Sequence, residues 1–337
     1  MHRITAAIFF VCLTLFSQYA LSVTLKIATA SPDGTVWMEK MHQAADEIKR
    51  RTSGRVTFRF YPGGIMGNDA SVMRKININQ LQGGIIPGGG LKNIYPDSQI
   101  YSLPLIFRSY DEVDYVRARM DDLIIKGLEQ NGFISFGLSE GGFAYLMSDK
   151  PMARVDDLKG QKIWVPEGDY ISRSAFQAVG VSPISLPLTD VLTALQTGLI
   201  NTVAASPMGA IALQWHSRIK YVTDEPLAYL YGTMIVQAKA FSRLNPEDQK
   251  IVREVFGAAY KDLNSINRRD NTEALKVLRN QGIQFVETDK NDQSSWRAML
   301  EATETKMGQE GILSQSILNI LNKYLRDFRQ NQRAASH

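Results

Sequence analysis

Between residues 158 and 207, short apolar runs alternate with helix-length amphipathic stretches, and the order they predict is strand, loop, helix, strand, helix, strand. The strands fall at 162–165, 181–186 and 199–204, and the helices between them end at Gly180 and Gly198. Strands joined in this way form a parallel sheet with crossover helices. Ligands of such sheets bind outside the carboxyl ends of the strands. The pattern therefore predicts a ligand cleft at Pro166-Glu167-Gly168 and at Ser206-Pro207, with no catalytic motif in it.

The same grammar occurs earlier in the chain. A strand at 25–28 runs into Ser31-Pro32-Asp33-Gly34, and Met38, Met41, Ala45 and Ile48 then recur on one helical face up to Gly54. A second strand follows at 55–60, with Val56, Phe58 and Phe60 on one side, and after Tyr61-Pro62-Gly63-Gly64 a second helix begins near Asn68. The chain is thus expected to hold two similar α/β halves. The cluster from Gly83 to Gly90 lacks the lysine and hydroxyl of a phosphate loop, so it reads as a strand and a tight turn whose backbone approaches a ligand or the other half.

Residues 1–22 combine a short basic start (His2, Arg3), an apolar stretch from Ala6 to Phe16, and the small residues Ala20 and Ser22 at the −3 and −1 positions of a cleavage site. This predicts a cleaved secretory signal, because the apolar stretch falls short of the roughly 20 residues of a bilayer span. The one cysteine, Cys12, lies inside that stretch, so the exported protein is expected to be soluble, free of disulfides and without a lipid attachment site. About 315 residues then remain, enough for two domains. The formal net charge of +4 is dispersed, and Lys49-Arg50-Arg51 sits where cations favour a helix end, so nucleic acid is not an expected partner.

Catalytic chemistry finds few candidates. Of four histidines, His2 leaves with the signal, His337 is terminal, and His42 and His216 are isolated, so neither a metal site nor another cofactor is expected. The HExxH and GxxxxGK[ST] patterns are absent. Asp33, Glu167 and Asp169 are the carboxylates in predicted cleft loops, where such residues mostly cap helices or form turns. The chain is not expected to be an enzyme.

Five phrases in order carry a family resemblance: LKIATASPDGTVW, YPGGIMGNDASVMRKI, SLPLIFRSYDEVDYV, LKGQKIWVPEG and LTALQTGLINTV. Over residues 24–325 the chain resembles the DctP-type solute-binding proteins of TRAP transporters. The resemblance implies a periplasmic receptor of the type II periplasmic-binding-protein fold, in which two α/β domains flank a central cleft and the chain crosses between them several times. Domain I would hold 23–143 and 233–273, domain II 144–232 and 274–328, and 329–337 a flexible tail. Crossings are implied near Phe143 to Tyr145, near Tyr231 to Val236, and around Glu273 in a long helix over 246–281. The receptor would close on a small organic acid and deliver it to a permease of small and large membrane subunits driven by an ion gradient.

The chain departs from that family where a carboxylate ligand is usually gripped. Trp164 stands where members commonly carry an arginine two residues after the lysine of the GxK motif, and Ala144 stands at a second such position. An indole offers a face and one N–H donor where a guanidinium offers charge, so the exchange implies a change of ligand class. Two readings follow. In the preferred one, a neutral, aromatic or extended ligand sits among Trp37, Phe143, Trp164, Trp215 and Tyr229, alongside Met66, Glu167 and Pro207. In the other, an acid is met by a displaced cation, Arg173 or Arg74. A receptor presenting ligand to a membrane sensor kinase would use the same cleft with a different partner.

Overall fold

The computed structural model describes residues 22–335, so the expected signal segment lies almost wholly outside the described residues. In the first lobe, β1 (Val23–Thr29) lies between β2 (Val56–Tyr61) and β3 (Gly83–Pro87), parallel to both. Helix α1 (Val36–Arg51) starts where the Thr35 hydroxyl accepts the amide of Met38, and it buries Met38, Met41, Ala45 and Ile48. Burying each long apolar side chain contributes about 1.5–3 kcal/mol. Past the helix, Gly54 at φ +78° donates back to the Lys49 carbonyl and turns the chain into β2. Helix α2 (Asp69–Asn77) is capped by Asn68, and α3 (Tyr110–Gln130) by Ser109.

Two long strands carry the chain between lobes. Strand β4 (Phe133–Ser135) stays in the first lobe, whereas β5 (Ser139–Ser148) runs out of it beside β9 (Tyr221–Gln237). Within the 17-residue β9, Gly232 to Val236 pair with β3, Tyr221 to Thr223 pair with β10 (Gln284–Val286), and the stretch between them makes the passage. The β5–β9 register slips at Glu140/Gly142 and twice more between Ala144 and Met147, next to the expected crossing at Phe143 to Tyr145.

The second lobe contains the pattern read from residues 158–207. Strand β6 (Trp164–Pro166), α4 (Tyr170–Ala178), β7 (Ile184–Leu186), α5 (Val191–Thr197) and β8 (Thr202–Ala205) follow in that order. β6 and β7 are parallel, and Ile163 bridges Thr202 in parallel. The second strand begins only at Ile184 because Pro183, before it, has no N–H to donate. Helix α6 (Pro207–Ala212) opens on the Ser206 cap.

Helix α7 (Pro246–Asn280) has 35 residues, about 52 Å at 1.5 Å per residue. Its first half packs Val252, Phe256 and Leu263 into the first lobe's core, and Leu278 enters the second lobe's. Helix α8 (Gln293–Gln309) covers α4, but α9 (Gln315–Ala335) returns to the first lobe. Its Leu318, Leu321 and Leu325 join the cluster of Val116, Met120 and Ile124, so the expected segment 274–328 is divided between lobes. The expected loose tail is helical to Ala335, because Arg329 pairs with Glu112 at 2.8 Å and donates to the Ile106 carbonyl. Among the described residues, no helix is long and apolar enough to cross a membrane.

Candidate functional site in the interlobe cleft

The parallel strands β1, β2 and β3 deliver the loops after Thr29, Tyr61 and Pro87 to one edge of the first lobe. Opposite stand the loops after β6, β7 and β8. The two sets meet. The Asn68 amide donates to Glu167 Oε2 at 2.5 Å. A Cβ on Gly64, which has φ +72°, would stand 2.7 Å from Thr189 Cγ2, so both backbone and neighbour require glycine there. Gly89 faces the Asp169 carboxyl, with a Cβ position 3.5 Å from its carbon, and the Lys92 ammonium lies 3.7 Å from the centroid of the Tyr170 ring. The lobes touch across the cleft, and the turn after the glycine cluster does approach the other lobe.

Charges in this cleft are only partly satisfied. Burial, then the nearby Glu167 carboxylate, pushes Asp69 up to about 6. Burial also raises Asp169, against the opposing hydrogen bonds from Ser172, whose hydroxyl and amide occupy its two oxygens at 2.6 and 3.0 Å. Lys92 is lowered by burial; the Asp169 carboxylate opposes this and Arg173 adds to it. Among the described residues, the Lys92 ammonium has no hydrogen bond and no ion pair, and its close partner is the Tyr170 face.

The hinge behind the cleft is the reverse. Glu140, at the start of β5, has a fully buried side chain that accepts from Arg268 at 2.7 and 2.8 Å and from the Tyr229 hydroxyl at 3.0 Å. Arg117 donates to that hydroxyl, to Asp121 and to the Leu138 carbonyl. Arg268 also grips Asp114, and these bonds, Asp114's first, hold it firmly charged. From α7, Asn271 accepts the Met208 amide of α6 and donates to the Gly141 carbonyl, tying both lobes to one helix.

The residues expected at the site fall in several places. Trp164 and Trp215 pack edge to face at 5.2 Å inside the second lobe, and the Trp164 N–H is taken by the Leu186 carbonyl at 3.0 Å. Phe143 and Tyr229 pack together at 5.7 Å in a different cluster, where the Tyr229 hydroxyl is committed to Arg117 and Glu140. Trp37 lies against a third cluster, in the first lobe, and donates to Ser139. The five aromatics therefore do not form one box. Glu167 faces the opposite lobe as described, and Pro207 is the buried first residue of α6. Met66 packs partly buried on the first lobe, its carbonyl accepting from Lys75. Arg173 is exposed on α4, and Arg74 bonds to Ser71 and lines a first-lobe groove with Asn77, Asn93 and Asn131. Asp69, Lys92, Tyr170 and Thr189 were not singled out from sequence; the signal available for Lys92 was its place two residues after the glycine cluster.

No group of three or more His, Cys, Asp or Glu side chains able to hold a metal ion occurs among the described residues. The family model of bacterial extracellular solute-binding proteins, family 7 (DctP), matches residues 27–310. The chain is 20% identical over 267 residues to the C4-dicarboxylate-binding periplasmic protein DctP of Rhodobacter capsulatus, covering 77% of this chain and 79% of that one. A TRAP periplasmic solute-binding protein from Desulfovibrio salexigens with bound orotic acid superposes with a TM-score of 0.82 at 20% identity, over 91% of this chain and 99% of that one. Another, from Shewanella oneidensis with bound succinate, gives 0.83 at 16% identity, over 90% and 99%. The fold is the two-domain periplasmic-binding arrangement expected from the sequence.

Proposed function

The chain belongs to family 7 of the bacterial extracellular solute-binding proteins, and from that premise we propose that it is the periplasmic receptor of a TRAP transporter, closing on a small organic acid and handing it to a two-part, ion-driven membrane permease. The family and its structural neighbours are transport solute-binding proteins, not enzymes. The observation that carries the reading is the meeting of loops from the carboxyl ends of both sets of strands, through Asn68 with Glu167, Gly64 with Thr189, and Lys92 with Tyr170. A ligand that contacts both lobes favours the closed form by its difference in affinity for the two states, and β5, β9 and α7 absorb the rotation. Orotic acid and succinate in two neighbours support an acid as the ligand. So does the dispersal of the aromatics into separate clusters, which takes away the box that a neutral aromatic ligand would need.

The test is thermal unfolding of the purified protein against dicarboxylates, sugar acids, 2-oxo acids, aromatic acids and neutral compounds. A ligand at a hundred times its dissociation constant adds about 2.7 kcal/mol of stability. Stabilisation by one class of acid, with the compound recovered unchanged, is the expected result. Chemical conversion of the compound, or no stabilisation by any of them, overturns the receptor.

A further inference from the structure

We infer that Lys92 is the specificity-determining cation of the cleft, meeting a carboxylate of the bound solute with Tyr170 of the opposite lobe behind its ammonium. The inference rests on the receptor reading above and names the group that recognises the acid. Lys92 is half-buried in the turn after β3, yet its three N–H donors have no acceptor among the described residues. A partly desolvated ammonium without an acceptor is costly unless an anion is supplied. Asp169 is near enough to act on Lys92 electrostatically, but it forms no hydrogen bond or ion pair with it and accepts instead from Ser172.

The other cations are committed or point elsewhere. Lys75 donates to the Met66 carbonyl, Arg74 turns to Ser71 beside the first-lobe groove, and Arg117 and Arg268 are held in the hinge. Trp164 and Ala144 offer no cation, and the indole N–H is taken within its own lobe. Closure also brings Lys92 toward a like charge, Arg173, one turn into α4. A carboxylate arriving beside Lys92 offsets that repulsion and supplies the missing acceptor, so an anionic ligand favours the closed form where an uncharged analogue does not. The cation–π contact with Tyr170 orients the ammonium only once the lobes have met.

The experiment is calorimetric titration of the wild type, Lys92→Gln and Lys92→Arg with succinate, D-glucuronate and orotate, each beside its amide. The wild type is expected to prefer at least one acid over its amide. Lys92→Gln should bind that acid roughly 10- to 100-fold more weakly, the range of one charge-assisted hydrogen bond, and lose the preference. Lys92→Arg should keep it. A wild type that binds only amides or neutral compounds, or a Lys92→Gln variant with undiminished acid preference, overturns the inference and leaves the receptor standing. Binding of none of the six, together with no stabilisation by the wider panel of solutes, removes both.

Discussion

The hinge and the cleft hold similar numbers of charged side chains and treat them oppositely. At the hinge, Glu140, Arg117, Arg268, Asp114 and Asp121 are joined by hydrogen bonds over three elements, α3, β5 and α7, with Tyr229 of β9 bridging Arg117 and Glu140. At the cleft, Lys92 has no hydrogen bond or ion pair among the described residues, and Asp69 is crowded by Glu167. A buried charge is tolerated where its partners are fixed in every state the protein visits. In the proposed closure the pivot would keep its neighbours and its pairing, whereas the cleft walls would separate on opening and leave groups free for a solute.

The comparison breaks most visibly at Glu140. Glu140→Gln removes the carboxylate shared by Arg268 and Arg117, and loss of one member of a buried pair should cost about 3–5 kcal/mol in chemical denaturation. A loss under about 1 kcal/mol would mean that the hinge charges are not coupled. At the cleft the sign reverses. Asp69 is pushed up to about 6 from an ordinary 3.8, so the folded protein holds a proton there that the unfolded chain releases. The resulting stability is present at low pH and lost as pH rises through about 6. Asp69→Asn should flatten that slope and be more stable than wild type above pH 6 by about 2–3 kcal/mol, with the curves converging below pH 4. Parallel pH profiles would sink the account of Asp69.

Tyr229→Phe tests the bridge between the hinge charges. Removing a hydroxyl that accepts from Arg117 and donates to Glu140 should cost about 1–2 kcal/mol and leave solute affinity within a few-fold. A large loss of affinity with little loss of stability would return Tyr229 to the ligand site. The smallest effect is expected at Arg74, which faces the first-lobe groove: Arg74→Ala should change stability by less than about 0.5 kcal/mol and leave acid binding unchanged. Weakened binding in that variant would make Arg74, not Lys92, the cation that matters.

Much of the architecture is legible in local patterns. The strand and helix order over 158–207, the buried face of α1, the Asn68 helix start and the unbroken span of α7 each depend on residues close together in sequence. The cleft loops after β6 and β8 follow from strand direction alone. The candidate site was only half legible. Glu167 stood in a predicted loop, but Asn68, its partner, is 99 residues away, and nothing in either segment encodes the meeting. Trp164 read as a cleft residue because it ends a strand; Trp215 and the Leu186 carbonyl, brought in by α6 and β7, turn it into the lobe's core.

The sequence by itself determined the two α/β halves, the loops that form the cleft edges and the family, since periodicity, glycine placement and ordered phrases are local properties of the chain. Tertiary structure alone decided which charges are paired. Glu140 finds Arg268 across 128 residues and Tyr229 across 89, and α9 leaves the second lobe to cover α3 of the first. An ion pair depends on distance and desolvation in space, and neither is set until β5, β9 and α7 have brought the lobes together.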